Sequence, residues 1–104
     1  MDKIMNEVCV FLADGFEEIE GLTVVDLLRR AGIETRTVSI MGQEEIKGAH
    51  GIIVKADSLF ENTDFSEVKM LVLPGGMPGT IHLKEHKGLE AVSYTHLRAH
   101  ETEL

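Results

Sequence analysis

One cysteine in 104 residues leaves no possibility of an internal disulfide and fits a reducing compartment. No apolar run approaches the ~18 residues of a membrane span, and no charged-then-apolar leader opens the chain. A cytoplasmic protein with no membrane partner is therefore expected. Positive charge is scarce as well: 10 Lys and Arg stand against 18 Asp and Glu, a formal balance of −8. Phosphate binding needs a basic stripe and none is visible, so a nucleic-acid partner is not expected. Internal repeats and low-complexity segments are also missing. What is left is the length and the apolar fraction, 43%, of one small globular domain.

Both prolines fall in the stretch around which the chain is organised, MLVLPGGMPG from Met70 to Gly79. Four apolar residues run into a proline and closely spaced glycines, which predicts a buried parallel strand ending in a tight loop at the carboxyl edge of a sheet. Ligands bind at that edge in open α/β sheets. Val8 to Ala13, another short apolar run, predicts a central strand closed by a turn at Asp14-Gly15-Phe16. A helix is expected from about Glu17, with acids at Glu17, Glu18 and Glu20 matched to the helix dipole. Ile19, Leu22, Val25 and Leu28 form its apolar stripe, widened by Val24, Leu27 and Ala31, and Gly32 ends it. Glu34 to Ile40 reads as a second strand, and Ile46 and Ile52-Ile53-Val54 as a strand pair or an irregular excursion. Asp57 to Val68 reads as a loop or short helix anchored by Leu59, Phe60 and Phe65. Thr80 is expected to cap a last helix carrying Ile81, Leu83 and Leu89. The order is doubly wound α/β, and it is only the first half of such a sheet. An unsatisfied strand edge and face are expected.

Glu17 and Glu18 are expected to face water. Glu20 is expected to point along the sheet's carboxyl edge toward Gly75-Gly76, where partial desolvation would raise its pKa and let it donate a hydrogen bond. The alternative for all three acids is dipole-matched surface charge. Gly75 and Gly76 can present backbone N–H groups to an anion or oxyanion, or can be glycine for turn geometry alone. They match neither G-x-G-x-x-G nor a P-loop. Cys9, mid-strand among apolar neighbours, reads as a packing residue. His82 and His86, four apart on an expected helix, have a metal-binding spacing but no third ligand nearby in sequence. A solvated face is favoured, as for His96 and His100, and no metal is expected.

VCVFLADGFEEIE at Val8–Glu20, VVDLLRRAGI at Val24–Ile33 and LVLPGGMPG at Leu71–Gly79 together closely resemble the amino-terminal half of the ThiJ/PfpI superfamily. The nearest branch is that of the protein deglycases linked to parkinsonism in humans, and the likeness runs from about Lys3 to Glu90. The resemblance implies a flavodoxin-like (class I glutamine amidotransferase-like) doubly wound parallel sheet, a homodimer and no cofactor. It implies a cysteine thiolate that adds to a reactive aldehyde such as methylglyoxal, or to the early adduct of such an aldehyde on a protein amine. Glu20 matches the acid that hydrogen-bonds the sulfur, and Gly76 with Gly75 matches the oxyanion loop. Arg30 and His50 match positions near the active site and the dimer contact. Glyoxalase, deglycase and chaperone activities are all attributed to the family. The alternative is a non-catalytic chaperone or small-anion-binding module of the same fold.

The chain departs from the family in two places. The family's nucleophile lies roughly thirty residues beyond the Pro-Gly-Gly loop on a strand-to-helix elbow, and this sequence has none there. The histidine of the second half is absent too. VSYTHLRAHET, from Val92 to Thr102, is instead what one reading frame of a transposase adapter used for sequencing libraries encodes. On that reading, residues 1–90 are a partial α/β domain and 91–104 a foreign tail. The other reading of the tail is a polar carboxyl-terminal helix. The 104 residues are expected to lack turnover.

Overall fold

The computed structural model describes residues 7–100, with side chains described for residues 8–93. Strand β1 (Glu7–Leu12) leads to helix α1 (Glu18–Arg30), β2 (Thr35–Ser39) and a small hairpin of β3 (Glu45–Lys47) and β4 (Ile53–Lys55). A two-residue strand β5 (Ser58–Leu59) runs into a 3-10 turn at Phe60–Asn62. After it come β6 (Val68–Val72), α2 (Gly79–Glu85) and α3 (Lys87–His100). The main sheet has the order β5-β2-β1-β6, with every pair parallel, and the β3–β4 hairpin is a separate antiparallel pair.

The apolar run of β1 is continuous because the strand is central and covered on both faces. Val8, Val10 and Leu12 point to one side, where they meet Val25 of α1, Phe16, Ile46 and Ala56. Cys9, Phe11 and Ala13 point to the other, against Val38, Leu71, Leu83 of α2 and Leu89 of α3. Cys9 is fully buried there, as its mid-strand position predicts. Phe60 and Phe65 anchor the 57–68 segment by closing on Phe11, with ring centroids 6.2 and 5.7 Å from it and 5.0 Å from each other.

Several expectations are corrected by packing. The buried face of α1 is Gly21, Leu22, Val24, Val25 and Leu28, while Ile19 and Leu27 are exposed. The strand before the glycine loop is not buried throughout. Val68 and Leu71 point inward, but Met70 is 51% and Leu73 40% exposed on a strand that, among the described residues, is the edge of the sheet. Thr80 does not cap α2, whose N-cap is Pro78; the amide of Thr80 already donates to the Gly76 carbonyl. Leu83 and Leu89 sit on different helices. His86 is extended (φ −80°, ψ 109°) between them, and its Nδ1 accepts from the Leu89 amide at 2.9 Å. His82 and His86 therefore do not share a helix face. The side chains of His96 and His100 lie outside the described residues. Helix α3 is continuous across residue 90, and Val92 packs against the core.

Two outcomes are expected from this architecture. Phe11→Ala, which empties the centre of the aromatic cluster, should cost about 3–5 kcal/mol in a denaturant titration; a loss within experimental error would mean that Phe60 and Phe65 close the gap. The open β6 edge, with Met70, Leu73 and Met77 exposed beside it, should make the chain self-associate as its concentration rises. Light scattering that reports a monomer throughout a concentration series would contradict this.

Candidate functional site

Three loops meet at the carboxyl edge of the sheet: the β1–α1 turn (13–17), the β3–β4 turn (48–52) and the glycine loop after β6 (74–79). Backbone hydrogen bonds join them. The Glu17 amide donates to the Gly75 carbonyl at 2.8 Å, the Gly15 amide to Lys47 at 2.8 Å, and the Ala49 amide to Phe16 at 2.8 Å. The Asp14 carboxylate accepts from the Lys47 amide at 3.0 Å. Gly76 has φ +105°, and a Cβ there would collide with the Glu17 amide, so both conformation and space demand glycine.

Helix α1 starts inside this junction, and its first acids go to different places. Glu17 is the N-cap, accepting from the Ile19 amide at 2.9 Å. Glu20 lies toward the glycine loop, as its spacing predicts, and Oε1 accepts from the Gly75 amide at 2.9 Å. It is exposed in this chain and not partly desolvated, because nothing among the described residues covers that side. With the Gly75 N–H given to Glu20, the loop N–H groups of Gly76, Met77 and Gly79 make no hydrogen bond among the described residues. Two grooves flank the loop. One, of about 540 Å³, is lined by Leu73, Pro74, Thr80, Leu83 and Leu89. The other, of about 420 Å³, is lined by Ile19, Glu20, Thr23, Val24 and Leu73. Leu73 and Pro74 form the ridge between them.

Glu18 overturns the expectation that it faces water. It is 3% exposed, because the β3–β4 turn lies across it. Its carboxylate accepts from the His50 amide at 2.8 Å, the Ile52 amide at 3.2 Å and the His50 Nδ1 at 2.8 Å. Burial alone pushes this carboxyl up. The bonds from the His50 ring, its own amide and the amides of His50 and Ile52 outweigh that and hold it at about 2. His50 is raised above its ordinary value by the hydrogen bond to Glu18 and by the charges of Glu18 and Glu17, against some opposing desolvation. Gly48 makes the arrangement possible, since a Cβ there would land on the Glu18 carboxyl. Sequence reasoning missed Glu18 because its partners lie more than thirty residues downstream. The glycine two residues before His50 was the one available signal.

The structure thus brings together Glu20, Gly75 and Gly76, and joins His50 to them through Glu17 and Glu18. It does not bring Arg30. That residue is in the last turn of α1, about 15 Å along the helix from Glu20, and pairs with Asp26 at 3.1 Å. Cys9 is buried within β1 among Val8, Val10 and Phe11, not at this edge. Glu17, Glu18 and His50 offer ligand atoms within 4.8 Å of one another, a spacing a metal could span. The short Glu18–His50 bond and the positive end of the α1 dipole already balance the charge there.

Gly48→Ala is expected to push the Glu18 carboxyl aside and return the His50 titration downward toward that of an ordinary histidine, measured by NMR on the imidazole. A midpoint unchanged from the parent chain would show that the carboxyl has room to move.

A profile of the DJ-1/PfpI family matches residues 6–101. Over 90 residues the chain is 34% identical to protein DJ-1 homolog B of Arabidopsis thaliana, covering 86% of this chain and 20% of that protein. It is 35% identical over 80 residues to a protein named deglycase from Thermococcus kodakarensis, covering 76% and 48%. The solved structure of oxidised Toxoplasma gondii DJ-1 superposes with a TM-score of 0.87 at 34% identity, over 90% of this chain and 51% of that one. The chain spans about half, or less, of the length of these relatives.

Proposed function

The chain belongs to the DJ-1/PfpI family, and on that premise we propose that the whole protein is a cysteine-dependent glyoxalase or deglycase. Its substrates would be methylglyoxal or the early adducts that such aldehydes form on protein amines. The observation that carries this reading is the 2.9 Å contact between the Glu20 carboxyl and the Gly75 amide at the ligand-binding edge of the sheet. In this reading the Glu20 carboxyl would meet the sulfur and the Gly76 N–H the substrate oxygen. The deglycase-named relative supports the same chemistry.

In this reading the thiolate of a downstream cysteine attacks the aldehyde carbon. The carbonyl electron pair moves to oxygen, where the Gly76 N–H meets the growing negative charge. Glu20, protonated, hydrogen-bonds the sulfur and stabilises the thiolate. That task requires Glu20 to be covered, which the rest of the protein would do. Cys9 cannot substitute as nucleophile, being buried in the central strand. The 104 residues therefore hold the acid and the oxyanion donor without the nucleophile. We also place the whole protein in the cytoplasm as a homodimer, with Arg30 toward the subunit contact, and set residues 91–104 apart as foreign to it. Among the described residues no helix is long and apolar enough to cross a membrane.

The whole gene, recovered by reading the source DNA past codon 90, is expected to encode a cysteine on an elbow roughly thirty residues beyond Gly76. Methylglyoxal consumption by that protein should vanish when the cysteine becomes serine and fall about 10²-fold or more in Glu20→Gln. The 104-residue chain should consume none. A whole protein lacking the cysteine, or one that protects clients from aggregation while leaving methylglyoxal untouched, would favour the non-catalytic chaperone instead.

A further inference from the structure

One buried side chain with three hydrogen bonds is not one that the proposed chemistry uses. Glu18 lies two residues before Glu20, is almost wholly buried, and spends its carboxylate on the β3–β4 turn. Two of its bonds come from backbone amides and are available at any pH at which the carboxylate is ionised. The third comes from the His50 ring, whose side chain is 66% exposed and exchanges protons freely with water. The turn has little else to hold it on that side. Its further ties are the Ala49 amide to Phe16 and the neighbouring Lys47 contacts with Gly15 and Asp14.

We propose that Glu18 and His50 form a pH-sensitive latch that fastens the β3–β4 turn over the amino end of α1, tight in mildly acid solution and looser as the pH rises past neutrality. The charged and titratable groups that face the pair are few. From α1 and its cap they are Glu17, 3.9 Å from His50 Nδ1, and Glu18 itself. The hairpin brings Lys47 beside the turn, and the β1–α1 turn brings Asp14, which accepts from the Lys47 amide. The glycine loop, residues 74–79, carries no titratable side chain. Two carboxylates thus lie within 3.9 Å of His50 Nδ1, and its cationic form is the one favoured.

The directions of the two shifts agree with this geometry. Glu18 is depressed in the folded chain, so its contribution is present above about 4.5 and is lost as the pH falls toward about 2. His50 is raised, so its contribution is complete below 6.5 and is lost as the pH rises through its folded value. The latch is therefore strongest between those limits, and its alkaline release begins near neutrality. Because the Ala49 amide bonds Phe16 and His50 lies 3.9 Å from Glu17, whose own amide donates to the Gly75 carbonyl, the latch adjoins the glycine loop without any residue of the proposed chemistry taking part.

Amide hydrogen exchange of this chain, read residue by residue across pH 5 to 8 and corrected for intrinsic rates, tests the proposal without any assay of turnover. Protection of the His50 and Ile52 amides should be highest at the acid end and decline above neutrality, while amides in β1 stay constant. His50→Gln, at an exposed position, should abolish the decline and leave both amides protected by Glu18. Glu18→Gln should cut their protection by at least about tenfold and lower the imidazole titration of His50. Flat protection in the parent chain together with an ordinary His50 titration would overturn the latch. So would a decline that persists in His50→Gln. Should Glu18→Gln fail to fold, the His50→Gln comparison decides alone.

Discussion

The structure depends on how closely the glycine loop can approach the start of α1. At Gly76 the loop backbone lies against the Glu17 amide with no room for a Cβ, and the same amide donates to the Gly75 carbonyl. This contact aligns the amino end of a helix with the carboxyl end of the edge strand β6, although the two are adjacent neither in sequence nor in one hydrogen-bonded ladder. The sheet alone would fix only the strands. Here the loops are fixed as well, so side chains at the mouth of the site take defined directions.

The parts legible in the sequence are those whose causes are local. A central strand covered on both faces is apolar throughout, so β1 announces itself. Helix α1 is framed by acids at its start and arginines at its end. The glycine loop needs its glycines for space, and that demand is written in the loop itself. The contact between Glu20 and Gly75 was legible too, because it follows from a strand end, a helix start and a parallel register between β1 and β6.

What was not legible depended on partners distant in the chain. Glu18 looks like its neighbours Glu17 and Glu20 until the β3–β4 turn, some thirty residues later, is laid across it. Met70 looks as apolar as Leu71, yet the two point to opposite faces of the sheet, and only Leu71 meets the core cluster with Leu83 and Leu89. Leu83 and Leu89 have helical spacing, yet His86 breaks the helix between them by accepting the Leu89 amide, a bond no periodicity reveals. In each case composition and spacing were right about polarity and wrong about what would be nearby. Burial is decided by the second.

The different surroundings of Glu18 and Glu20 separate their possible roles. Residues two apart on a helix point about 200° apart, so one carboxyl turns to the hairpin and the other to the glycine loop. A group that must offer a hydrogen bond to a reacting thiolate has to hold a proton near neutral pH. Glu18, held at about 2 by its donors, is ionised there and is excluded from that role however well placed it is. Among the described residues Glu20 has a single amide as hydrogen-bond partner and is open to water. Its surroundings are therefore left for whatever covers it to set. The fold thus spends one carboxylate to fasten its loops and keeps the next one uncommitted, and the uncommitted one can serve chemistry.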